Sequence, residues 1–141
     1  MNADQVKTFI RKINGSEHPF IFYDPKSSEW SRLNDFGAWM APNKTIYLNK
    51  EYWSKIGNIK QKCLLLHEMG HLHDLTDYYN DRVERELFAQ MWAINKAKEL
   101  NLFIVYIVSK LFFISWQFYE RNSNQSTYVL AYELAKKRNI I

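Results

Sequence analysis

A single cysteine, Cys63, leaves this chain no intrachain disulfide, which suits a reducing compartment. Only four glycines and three prolines leave little room for long irregular loops, and helix is favoured. No arginine-rich stripe or aromatic RNA-binding motif accompanies the net charge of +4, which argues against a nucleic-acid partner. The opening residues Met1 to Gln5 lack the basic-then-apolar layout of a signal peptide. Together these absences lead us to expect a cytoplasmic protein.

What is present belongs with folded chains: 47% of residues are hydrophobic and 24% charged. Aromatics reach 16%, enough bulk to fill a core and to furnish a binding surface as well. One apolar segment stands out, Leu102 to Tyr119. It approaches the length of a membrane span, but Lys110 lies at its centre, where a charge is costly in lipid. We read it as a packed helix or one with a face for a partner. A membrane role through residues 102–119 is the less favoured alternative.

Hydrophobic spacing organises the rest. Val6, Phe9, Ile10 and Ile13 recur at helical intervals in an opening helix from Asp4 to Ile13, stopped by Asn14 and Gly15. Phe20 to Tyr23 is β-prone, and Ser27 to Asn34 reads as loop or short helix. Residues 37–40 and 45–48 flank Pro42, Asn43 and Lys44 as a hairpin, with Asn49 to Trp53 as a strand exit. Asn58 can cap a helix running to His73. A second helix covers Asp81 to Leu100, with Val83, Leu87, Met91 and Ile94 as its stripe, and a last one covers Ser126 to Arg138. The expected fold is a single domain, residues 1–141, of α+β class and mostly helical. A small antiparallel sheet or hairpin would pack on the helix ending at His73, and residues 102–141 would form a helical C-terminal extension.

Chemistry concentrates on that helix, in His67-Glu68-Met69-Gly70-His71. Histidines four apart share a helix face, with Cβ atoms about 5–6 Å apart, so both can reach one zinc ion at about 2.0–2.1 Å. Glu68 projects about 100° round from His67. It can therefore flank an open coordination position and exchange a proton with a water held there. Gly70 weakens a helix by about 1 kcal/mol, which a closely packed neighbour would explain. Catalytic zinc normally takes a third protein ligand. The next helix offers Glu84, Glu86 and Glu99. Glu99 lies too far along, and Glu84 and Glu86 are about 200° apart; small Ala89 and Ala93 near Glu86 allow close approach, so Glu86 is preferred. Glu84 remains the alternative, read otherwise as an exposed partner for Arg82 or Arg85. Asp74 or Asp77 could accept the second nitrogen of a ligand histidine. His73 faces away from the pair, and Cys63 reads as a small buried apolar group.

Leu65 to His73 and the downstream block Glu86-Leu87-Phe88-Ala89-Gln90-Met91-Trp92-Ala93 together resemble the ImmA/IrrE-type metallopeptidase family, as does the lead-in Ile46 to Asn49. The resemblance spans about Gly37 to Asn95. It implies a zincin-like fold, zinc on His67, His71 and Glu86, and Glu68 as general acid/base. It also implies a phage or mobile-element setting. The chain departs from the family pattern at Phe88, usually acidic, and at Gln90, usually Asn or Asp. A SprT-type protease is disfavoured, since one cysteine cannot supply a zinc ribbon.

The expected function is thus a zinc-dependent metallopeptidase hydrolysing a specific intracellular protein or peptide substrate. The alternative is a metal-containing binding or inhibitor protein that acts by protein–protein interaction without proteolysis.

Overall fold

The computed structural model of the chain describes residues 1–27, 37–76, 81–121 and 126–140. Helix α1 (Ala3–Asn14) forms as its spacing predicts. Asn2 and Gln5 bond each other's backbone in a capping box, and Gly15 ends the helix at φ 78°, a left-handed conformation that a side chain would disfavour. Its apolar stripe, Val6, Phe9, Ile10 and Ile13, is buried.

Strand β1 (Phe20–Tyr23), strand β2 (Ala38–Met40) and strand β3 (Ile46–Asn49) form one sheet in the order β1-β3-β2. The expected hairpin is present, with β2 antiparallel to β3 and Trp39 opposite Tyr47. The sheet is not purely antiparallel, however. β1 adds to the other side of β3 in parallel, Phe20 opposite Ile46, because the chain returns through β2 before β3 is laid down. The expected strand exit at Asn49 to Trp53 is instead helix α2 (Lys50–Lys55): the Asn49 side chain accepts from the Tyr52 amide at 3.0 Å and caps it. Ser27 to Asn34 falls almost wholly outside the described residues.

Helix α3 (Asn58–His73) carries the histidines. Its N-cap is Gly57 without a side-chain bond, rather than Asn58; the Asn58 side chain accepts from the Met1 amino group at 3.2 Å instead. Helix α4 (Arg82–Glu99) is capped by Asp81, which accepts from the Glu84 amide. The apolar segment splits into helix α5 (Phe103–Ser115) and a 3-10 turn, Trp116–Phe118. Among the described residues no helix is long and apolar enough to cross a membrane. Helix α6 (Ser126–Lys137) closes the fold.

Two apolar clusters hold these elements. One joins α1, the sheet, α3 and α4 through Val6, Ile10, Ile46, Leu48, Leu65, Leu66, Met69, Ala93 and Ala97. The other joins α4, α5 and α6 through Leu87, Ile94, Phe113, Trp116 and Ala131. Helix α4 contributes to both, which places its inward face opposite α3. The α+β class and the helical majority are as expected.

Candidate metal centre

Helices α3 and α4 come into close backbone contact at Gly70. A Cβ built there would lie 2.5 Å from the Ala89 carbonyl oxygen and 2.7 Å from its Cα. The glycine between the two histidines is thus explained by backbone approach, as its helix-weakening character suggested. Ala89 lies one helical turn beyond Glu86, so this contact also sets how near Glu86 comes to the histidines.

The three sequence candidates converge. His67, His71 and Glu86 each offer a ligand atom, all within 4.8 Å of one another. The His67 and His71 ring centroids are 5.0 Å apart. Glu86 reaches both rings, with Oε2 2.9 Å from His67 Nε2 and Oε1 3.5 Å from His71 Nε2. These separations bracket the roughly 3.3 Å between two donors on a tetrahedral zinc with bonds near 2.05 Å. Two imidazole nitrogens and one carboxylate oxygen could therefore hold a metal ion.

Helix α5 orients the first of these ligands. Gln90 Nε2 donates to the Ser109 carbonyl at 2.9 Å, which turns Gln90 Oε1 towards His67. His67 Nδ1–H donates to that oxygen at 2.8 Å. With Nδ1 protonated, Nε2 is the nitrogen left for a metal. This partner was not foreseen. The sequence places Gln90 four residues after Glu86, on the same face, and marks it as a departure from the family pattern, but carries no signal of its bond to His67. Asp74 has a different role from the one considered: its Oδ1 accepts from the Thr76 amide and hydroxyl at 3.0 and 2.8 Å. Asp77 lies outside the described residues.

Electrostatics follow from the contacts. Burial favours neutral His67, yet its bond to Glu86, the charges of Glu86 and Glu68, and Gln90 outweigh it, raising His67 to about 9. Both ring nitrogens face acceptors, so the metal-free ring is an imidazolium. Burial likewise pushes Glu86 up, but the bonds and charges of His67 and His71 prevail and hold it well below the usual carboxylate range. A proton thus occupies the place between His67 and Glu86 that a cation would fill.

Glu68 does not join the ligand cluster. It is buried, only 7% exposed, and burial raises its carboxyl above the ordinary value, opposed by the charges of His67 and His71 and by a bond from the Met40 amide. That amide is free to reach it for a topological reason. Ala41 bonds Thr45 and Asn49 bonds Gly37 across the hairpin, so alternate residues of β2, Ala38 and Met40, turn their peptide groups away from β3. β2 is an edge of the sheet, and its outer side faces α3.

The remaining candidates lie elsewhere. Glu84 pairs with Arg138, whose Nη1 donates to Oε2 at 3.0 Å, so its partner is neither Arg82 nor Arg85. His73 stacks on Trp92 with centroids 4.7 Å apart and bonds Asn14. Cys63 is buried and accepts from the Ser109 hydroxyl at 3.3 Å. Sequence reasoning also missed the aromatic wall over the centre: Trp116 meets the His67 ring edge-on at 6.2 Å, and Tyr128 packs on Trp116 at 4.8 Å. Both come from the helical C-terminal segment, with no local signal linking them to residues 67–71. Comparison with protein-family models, with curated proteins and with solved structures finds no match to this chain.

Proposed function

We propose that the chain is a zinc-dependent metallopeptidase, a divergent ImmA/IrrE-type member with a zincin-like arrangement of edge strand and metal helix. The observation that carries this reading is the convergence of His67, His71 and Glu86 beside a buried carboxylate that is not itself in the cluster. Two histidines and one glutamate form a known catalytic zinc set. Zinc bound there supplies Lewis acidity to a substrate carbonyl and to water.

The chain's own residues do the rest. Gln90 holds the His67 ring in the tautomer that presents Nε2. Glu68 takes the proton of the attacking water on its carboxylate and returns it to the leaving amine. Its burial, which raises the carboxyl pKa, brings that exchange nearer neutral pH. On the outer side of β2, where Glu68 takes the Met40 amide, the peptide group of Ala38 offers an extended peptide a strand edge to pair with. Trp116, buried against His67, excludes water from one side of the centre.

A second reading, a metal-containing binding or inhibitor protein, draws on the bulky apolar residues that α5 exposes. One variant separates the two. Glu68→Gln preserves shape but removes the base, so peptide hydrolysis should fall about 10²–10⁴-fold while zinc content stays at the wild-type level. Full biological activity in Glu68→Gln would end the peptidase reading in favour of the binding protein. Elemental analysis of freshly purified protein and of His67→Ala supplies the metal test.

A further inference from the structure

Helix α5 has two unlike faces. Val105, Ser109 and Phe113 are buried, and the Ser109 carbonyl anchors Gln90. The opposite face is bare: Phe103, Ile104, Ile107, Leu111 and Ile114 are all exposed, Phe103 by 70%, and Phe118 in the 3-10 turn that follows is exposed by 79%. From Ile104 onward these residues are separated alternately by three and four positions, the spacing of the seam by which one helix packs along another. Within α5 they fall on a stripe about 100° wide.

The size of the stripe indicates what covers it. At roughly 200 Å² per large side chain, the six exposures amount to about 700 Å² of apolar surface. The largest patch on a typical monomer is about 300–600 Å², and each partner in a standard interface buries about 800 Å². Charge argues the same way. Lys110 is the one charged residue of α5, and it turns back over the Tyr106 ring, 5.2 Å from its centroid, with Nζ 3.4 Å from the hydroxyl. That leaves the seam without like-charge repulsion between two copies. A lipid surface would instead be met by several cations flanking the apolar stripe, and α5 presents a single one, Lys110, folded back on Tyr106.

We propose that this face of α5 is an interface with a second copy of the chain, the two helices packing seam to seam about a two-fold axis. Such an interface is self-complementary. Leu111 lies at the middle of the seam, so at full overlap it meets its own counterpart whether the helices run parallel or antiparallel. The seam residues are not metal ligands, so this proposal stands or falls independently of the peptidase reading.

Sedimentation velocity of the purified full-length chain across micromolar concentrations tests it. The wild type should sediment at twice the mass of the 17.0 kDa chain. Leu111→Glu should sediment at the mass of one chain while keeping its helical circular dichroism and its metal content. Leu111→Cys should form a reducible covalent dimer under mild oxidation, the native Cys63 being buried. A wild type that stays at the mass of one chain at every concentration overturns the proposal, as does the absence of a cross-link through the introduced thiols. Flotation of the wild-type chain with anionic phospholipid vesicles, while it remains monomeric, assigns the face to lipid and likewise overturns it. Should Leu111→Glu fail to fold, the wild-type mass and the Leu111→Cys cross-link decide alone.

Discussion

Replacing Gly70 with alanine adds one methyl group where the backbones of α3 and α4 meet. The new Cβ would stand 2.5 Å from the Ala89 carbonyl oxygen, about 0.9 Å inside the 3.4 Å at which ordinary contact begins. The obstacle is backbone, so no side chain can swing aside, and α4 itself must retreat. Two effects on stability oppose each other. Alanine gains about 1 kcal/mol of helix propensity, and overpacking a close contact costs about 1–3 kcal/mol. The net loss is therefore small, about 0–2 kcal/mol. The effect on metal binding is not small. Ligand distances tolerate only about ±0.2 Å, and a retreat of several tenths of an ångström widens the 2.9 and 3.5 Å gaps between Glu86 and the histidines. We expect zinc affinity to fall at least about tenfold, the scale seen when ligands lose their positioning. Competition against a chromophoric chelator measures the affinity, and chemical denaturation of metal-free protein measures the stability. If Gly70→Ala binds zinc as tightly as wild type, the argument that this contact sets the ligand geometry is wrong.

Other substitutions follow the same logic. Gln90→Ala removes the acceptor behind His67 and should weaken zinc binding about 10–100-fold with the fold retained; unchanged affinity by chelator competition would show that His67 needs no such support. Glu86→Ala should strip the metal, whereas Glu84→Ala, which loses only the exposed pair with Arg138, should leave zinc content at the wild-type level; elemental analysis showing the reverse would make Glu84 the third ligand. In metal-free protein the pKa of His67 is raised to about 9, so its stabilising contribution is complete below its unfolded value near 6.5 and is lost as pH rises through about 9. Glu86, shifted down, contributes above about 4.5 and loses that contribution as pH falls through its folded value. Thermal unfolding against pH, with Glu86→Gln for comparison, should show both limbs flattened in the variant. Zinc must displace the His67 proton, so with the ring's pKa near 9 binding at pH 7 should release about one proton and tighten about 50-fold by pH 9; calorimetry in buffers of different ionisation heat would show no proton transfer if the ring were neutral.

Local patterning determined a good deal of this protein. The helical spacing of Val6, Phe9, Ile10 and Ile13 marked α1, and Thr45 to Leu48 opposite residues 37–40 marked the hairpin, because period and turn chemistry are properties of neighbouring residues. The interval from His67 to His71 placed two donors on one face for the same reason, and the helix-weakening Gly70 pointed to the contact that Ala89 makes. The direction in which β1 joins the sheet was settled only by the tertiary structure, since a strand carries no local record of its partner. So was the start of α2 at Asn49, where a side-chain cap overrides a β-prone run. The preference for Glu86 over Glu84 was legible in the small residues Ala89 and Ala93, but the partner of Glu84, Arg138, lies 54 residues beyond it in sequence, and the orientation of His67 needed the Ser109 carbonyl to fix Gln90. Trp116 and Tyr128 came to the centre through the packing of α5 and α6. Neither has a sequence neighbour among the ligands, so only the folded chain could bring them there.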